Sequence, residues 1–162
     1  MKKLPILLLG IGQSLRSDDG VGISAVRQWR ETHPKEANRI TVDTAEIPGL
    51  GLLPLIQEYQ IVVIVDAVRS GAVPGTIHTI REEQISSFSP GSRTAHGWGL
   101  AETLVLGQKL YSETNFPQVL LLGMEIGKIE LGDHLSAPVQ IALPDLVAAI
   151  QKEIERLMRN FD

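Results

Sequence analysis

The chain has 162 residues, enough for one domain with a real core, and its 43% hydrophobic and 21% charged content is ordinary for a globular protein. Its formal net charge of −4 offers no basic surface for nucleic acid. The absence of cysteine excludes disulfides, thiolate metal sites, iron–sulfur clusters and a cysteine nucleophile together, so any metal must be held by nitrogen and oxygen donors.

Residues 6–9 form a continuous apolar run and read as a strand covered on both faces, rather than as the apolar core of a targeting segment. No stretch is long and apolar enough to cross a membrane as a helix, and the cytoplasm is the expected compartment. Gly10 and Gly12 end the strand. A helix then begins near Asp19, with Ser17 or Asp18 as its cap and Val21, Ala25, Val26 and Trp29 near helical spacing, and stops before Pro34. Residues 39–43 read as a second strand, and Leu50, Leu52, Leu53, Leu55 and Ile56 as an apolar helical stretch ending near Tyr59. The run IVVIV at 61–65 is the most β-rich in the chain.

Pro74-Gly75 marks a turn, residues 76–81 alternate as a strand, and 86–93 is a Ser/Pro/Gly loop. His96 opens a helical run carrying Leu100, Leu104, Leu106 and Leu110; residues 119–124 are another buried strand. Residues 128–139 read as irregular. Pro144 lies near the start of a last helix, with Leu146, Val147, Ile150, Ile154 and Leu157 at helical spacing. Strands alternate with helices and no repeat or linker interrupts them. The expected fold is therefore α/β: one domain over 1–162, with a mostly parallel sheet of about five strands and helices on both faces.

Ligands of such sheets gather at the carboxyl ends of the strands. Asp19 follows the first strand, Asp43 closes the second, Asp66 closes the third, and His96 opens a helix that can return to the same edge. The glycine turn is a poor dinucleotide fingerprint, because Leu15 stands at its third glycine position. Asp18 and Asp19 would also set negative charge where phosphates need the opposite. One aspartate of that pair suffices to cap a helix, which frees the other as a ligand. Asp66 reads either as a plain loop aspartate or as a metal ligand or general base. His96, flanked by Gly97 and Trp98-Gly99, has backbone freedom to approach a partner closely. Imidazole with carboxylates suits nickel, zinc, manganese or iron(II), and three such ligands leave positions open. His33, His78 and His134 are expected at the surface, with Asp133–His134 as a weaker rival pair. Ser14 and Ser17 lack a nucleophile-elbow setting.

The stretches LLLGIGQSLRSDDGVG, VVIVDAVRSGAVPGTI and SRTAHGWGLAETL, in that order, resemble the hydrogenase maturation proteases. These endopeptidases remove a C-terminal tail from the large subunit of nickel–iron hydrogenases. The resemblance implies a twisted sheet sandwiched by helices. It also implies metal contacts from Asp19, Asp66 and His96, which would carry a metal-assisted cleavage with roles not separable among them. The metal would be nickel already placed in the large-subunit precursor. The acidic balance and small size permit a monomer that meets that precursor transiently. Two departures stand out. Gln13 occupies a position where many members have asparagine, and Asp43-Thr44-Ala45-Glu46 replaces a common Asp-Gly-Gly-Thr. Asp43 is accordingly carried only as a residue of the substrate edge, and Glu46 is not carried. The alternatives are a non-catalytic nickel-binding assembly factor using the same rim and, more remotely, a small nucleotide-binding module.

Overall fold

The computed structural model of the chain describes residues 4–46, 49–88, 99–111, 115–127 and 129–162. Its strands are β1 (Ile6–Gly12), β2 (Thr41–Glu46), β3 (Ile61–Val68), β4 (Ile77–Arg81) and β5 (Gln118–Glu125). Its helices are α1 (Val21–Thr32), α2 (Pro34–Arg39), α3 (Leu52–Ile56), α4 (Glu82–Phe88), α5 (Leu100–Leu110) and α6 (Ala137–Met158). The strands form a five-stranded sheet in the order β2-β1-β3-β5-β4, parallel except for β4, which pairs antiparallel with β5 at one edge.

Alternation along the strands sorts the apolar residues into two layers. Ile6, Leu8, Val63, Val65, Leu122 and Met124 pack with Val26 and Trp29 of α1 and with Leu146, Ile150 and Ile154 of α6. Leu7, Leu9, Val62, Ile64 and Leu121 join Leu52 and Ile56 of α3, Ile85 of α4 and Leu104 of α5. Cover on both faces is why β1, β3 and β5 are continuous apolar runs, and each buried leucine or isoleucine contributes roughly 2 kcal/mol. Trp29 is fully buried, and its indole N–H donates to Gln151 Oε1 at 2.9 Å, which ties α1 to α6.

The strand order sets the place for a site. The chain leaves β1 for β2 on one side and then returns across it to β3 on the other, so β1 and β3 flank the topological switch point. The helices of the two crossovers lie on opposite faces there, the arrangement that in such sheets sets ligands beyond the carboxyl ends of the strands. No described helix is long and apolar enough to cross a membrane.

Several boundaries differ from the sequence reading. The second strand is Thr41–Glu46, not 39–43, because residues 34–39 form α2 with Pro34 in its first turn. Residues 86–88 belong to α4 and not to a loop. The last helix begins at Ala137, so part of the stretch read as irregular is helical. Pro138 sits in its first turn, and Pro144 lies inside it on an exposed position. Val139 and Leu143 are buried and extend the same apolar stripe. His33 is half-buried, stacked on Trp29 with ring centroids 5.6 Å apart, and His78 is half-buried as well; only His134 lies at the surface as expected.

Candidate functional site

Four glycines bring the start of α1 onto the strand ends. A Cβ on Gly12, whose φ is +145°, would stand 2.0 Å from the carbonyl oxygen of Asp19. One on Gly22 would stand 2.2 Å from the carbonyl oxygen of Val65 and 2.7 Å from that of Ile11. Gly10 meets the carbonyl of Gly22, and Gly20 meets the backbone of Gln13 and Ser14. The space over the glycine turn is thus filled by protein backbone rather than kept for a phosphate. The glycines serve close approach. Their effect is to place the 3₁₀ turn Ser17–Gly20, and Asp19 with it, at the mouth between β1 and β3.

Asp66 is the sixth residue of β3 and lies in register with Gly123 of β5. It is 8% exposed, and its Oδ1 accepts the N–H of Ala67 at 2.8 Å. Burial pushes its carboxyl well above the ordinary aspartate range. The bond from Ala67 opposes that rise, and the negative charge of nearby Asp19 adds to it. The structure therefore brings Asp19 and Asp66 into one electrostatic unit at the switch point. Paired carboxylates that repel each other in a buried rim are a common setting for cation binding or proton transfer.

Asp18 behaves differently from the expected helix cap. The 3₁₀ turn and α1 both start without a side-chain cap bond. The Asp18 side chain is fully buried and accepts Gly127 N–H at 3.0 Å, Ser136 N–H at 2.6 Å and Ser136 Oγ–H at 2.7 Å. It fastens the segment before α6 to the turn that carries Asp19. Ser17, the other expected cap, donates from Oγ to the carbonyl of His134 at 2.7 Å.

His96 lies outside the described residues. The helix that follows it, α5, has its far end near the amino ends of the parallel strands. There Gln108 donates to Glu82 at 3.0 Å, and neighbouring Arg81 pairs with Leu120 near the start of β5. An eleven-residue helix of about 16 Å then runs back toward the carboxyl ends. Among the described residues no three His, Asp or Glu side chains gather closely enough to hold a metal ion.

Asp43 does not close its strand. It is the third residue of β2, exposed, paired with Leu9, and its Oδ1 accepts Thr44 N–H at 2.8 Å. The rim position of β2 belongs to Glu46, which pairs with Gly12 and accepts Ser14 Oγ–H at 2.6 Å. The departure from the family motif left Glu46 uncarried in the sequence reading, and a strand expected to end at residue 43 left it outside β2.

Glu125 was missed as well. It ends β5, is almost fully buried, and accepts Ser70 N–H at 2.8 Å, Ser70 Oγ–H at 2.8 Å, Gly71 N–H at 3.0 Å and His78 Nε2–H at 3.1 Å. Burial pushes its carboxyl up, but the bonds from Ser70, His78 and Gly71 outweigh burial and hold it below the ordinary range. It anchors the β3–β4 connection beside Asp66. A lowered folded pKa stabilises the fold above the unfolded value, and that contribution is lost as pH falls through the folded value. Glu125→Gln is expected to cost about 2 kcal/mol at neutral pH and to flatten the loss of stability toward acid. Thermal unfolding across acid pH checks this; a variant with the wild-type acid slope would refute it.

The model of the family described as hydrogenase maturation protease matches residues 30–153. The chain belongs to that family. Its members are peptide hydrolases, and neither a nucleotide-binding module nor a non-catalytic factor is favoured beside them. Among relatives, the chain is 34% identical over 104 residues to the hydrogenase expression/formation protein HupD of Rhodobacter capsulatus, covering 64% of this chain and 49% of that protein. It is 28% identical over 159 residues to HupD of Rhizobium leguminosarum, covering 96% of this chain and 75% of the relative. The chain thus spans about half the length of the first relative and three quarters of the second. In fold it is similar to the hydrogenase maturating endopeptidase HybD from E. coli, with a TM-score of 0.79 and 22% identity, covering 96% of this chain and 93% of the other.

Proposed function

We propose that this protein, acting as one domain over 1–162, removes the C-terminal extension of a nickel–iron hydrogenase large-subunit precursor after nickel insertion. The nickel travels with the substrate and serves as the recognition element. The observation that supports this reading is the placement of Asp19, on the turn packed against the ends of β1 and β3, and of Asp66 on β3 at the same switch point. His96 is the third donor; what supports it is its place in the sequence, four residues ahead of α5, and the family resemblance of its surroundings. Two carboxylates and an imidazole, with no thiolate, fit a nickel ion held mainly by another protein. When bound, the ion would supply Lewis-acid polarisation of the scissile carbonyl or of water.

The chain's own residues position and move protons. Asp66 has Oδ1 engaged by Ala67 N–H, which leaves Oδ2 for ligation or for a proton. Where that oxygen does not ligate the ion, it can take a proton from water and return one to the leaving amine. Asp18 and Glu125 fix the two segments beside this centre. The protein works as a monomer in the cytoplasm and meets its substrate transiently.

Mixing the protein with nickel-loaded and nickel-free precursor, and weighing the products by mass spectrometry, tests the reading. Loss of a C-terminal segment from the loaded precursor alone is the expected result. Equal cleavage of both forms would remove nickel from the account, and cleavage of neither would overturn the assignment.

A further inference from the structure

The segments that follow the parallel strands carry large apolar side chains in solvent. Leu15 follows β1 and is 66% exposed; Leu50 follows β2, Val73 follows β3, and Leu131, 93% exposed, follows β5. Burying them inside the fold is not what these residues do, yet each stands at the same end of the sheet as Asp19 and Asp66.

The backbones around Leu15, Val73 and Leu131 are held firmly. The carbonyl of Leu15 accepts Gly132 N–H at 2.9 Å and Ser17 N–H donates to the Gly132 carbonyl at 2.8 Å, so the segments of Leu15 and Leu131 lie side by side in a short parallel bridge. The carbonyl of Val73 accepts Thr76 N–H at 3.0 Å and Thr76 Oγ–H at 2.6 Å, and Gly75 N–H reaches the Glu125 carbonyl at 2.8 Å. Apolar side chains on a fixed backbone lose little freedom when covered, which is the property of a docking surface. Apolar residues around a polar centre also match the make-up of protein interfaces.

We propose that Leu15, Leu50, Val73 and Leu131 form a ring that docks the folded body of the large-subunit precursor around its protruding C-terminal segment. This rests on the proposed function. The charge pattern selects the occupant. In the segments at this end Asp19, Glu46, Asp66, Glu130 and Asp133 outnumber Arg16 and Arg69, so the surface is net acidic and fits a metal-bearing or cationic segment. A second copy of this chain, meeting it face to face through a two-fold axis, would set acidic surface against acidic surface.

The test is steady-state cleavage of the nickel-loaded precursor by the double variant Leu15→Ser, Leu131→Ser, with Leu110→Ser as control. Leu110 ends α5, lies toward the opposite end of the sheet, and is exposed to the same 66% as Leu15. The double variant is expected to raise KM about tenfold with kcat within about twofold, while the control changes neither. An unchanged KM, or an equal rise in the control, overturns the ring. So does loss of self-association in the double variant without a change in KM, which would assign the ring to a second copy. Wild-type protein that binds the loaded precursor without cleaving it overturns the reading of the site but not the surface, provided the double variant weakens that binding by the same factor. Wild-type protein that neither binds nor cleaves overturns both.

Discussion

Asp66→Asn is expected to stop removal of the C-terminal extension, with kcat at least about a thousandfold down, while the metal-free protein becomes more resistant to heat at neutral pH. The two effects have one cause. Asp66 is an almost fully buried carboxylate whose charge is disfavoured first by burial and then by Asp19. Asparagine keeps the shape and can still accept Ala67 N–H through its amide oxygen, but it carries no charge to bury. The sign follows from linkage. The folded state holds the Asp66 proton more tightly than the unfolded chain does. Stability is therefore fully present below the unfolded pKa and is lost as pH rises through the folded value. The variant lacks that loss. Thermal unfolding of metal-free wild type and variant, from about pH 4 to about pH 8, should show the two curves separating as pH rises, with the variant above. A variant that is both active and less stable at neutral pH would remove Asp66 from the site and leave it a structural residue. A gain in stability with loss of activity is the pattern of a group retained for chemistry against the preference of the fold.

The parts legible in the sequence are those with local causes. The runs at β1, β3 and β5 announce strands covered on both faces, and their order with intervening helices implies a mostly parallel sheet, as observed. That in turn predicts where Asp19 and Asp66 stand, because a residue at a strand's carboxyl end goes wherever the sheet takes it. The errors have physical reasons too. β2 is a half-exposed edge strand whose residues TVDTAE lack a continuous apolar run, so its limits are faint and Asp43, not Glu46, reads as its last residue. Pro144 reads as a helix start because proline removes a bond from a helix interior, but on the exposed side of α6 water can serve the freed carbonyl. The spacing of Val139, Leu143 and Leu146 was the truer signal. Asp18 and Glu125 were beyond reach for another reason. Their partners are Ser136, 118 residues away, and Ser70 and His78, 55 and 47 residues away, and no local pattern encodes such pairings.

The adjacent aspartates Asp18 and Asp19 should therefore part company on substitution. Asp18→Ala is expected to lower stability by about 3 kcal/mol, because it leaves buried N–H and hydroxyl donors of Gly127 and Ser136 without their charged acceptor. Asp19→Asn should leave the unfolding midpoint close to wild type and abolish cleavage. The distinction lies in what each side chain faces. Asp18 is fully buried and closed off by three bonds, so it has no room for a ligand. Asp19 is half-buried on the turn whose backbone packs against Gly12, and asparagine keeps its shape and an accepting oxygen there. Denaturant unfolding of both variants, beside single-turnover cleavage at a temperature where both stay folded, separates the roles. Asp18→Ala should then retain chemistry within about tenfold of wild type, reduced only so far as the loosened 127–136 segment lets the turn of Asp19 shift. If Asp18→Ala proved as stable as wild type and inactive, the ligand would be Asp18, and the glycine turn would be presenting the other carboxylate to the site.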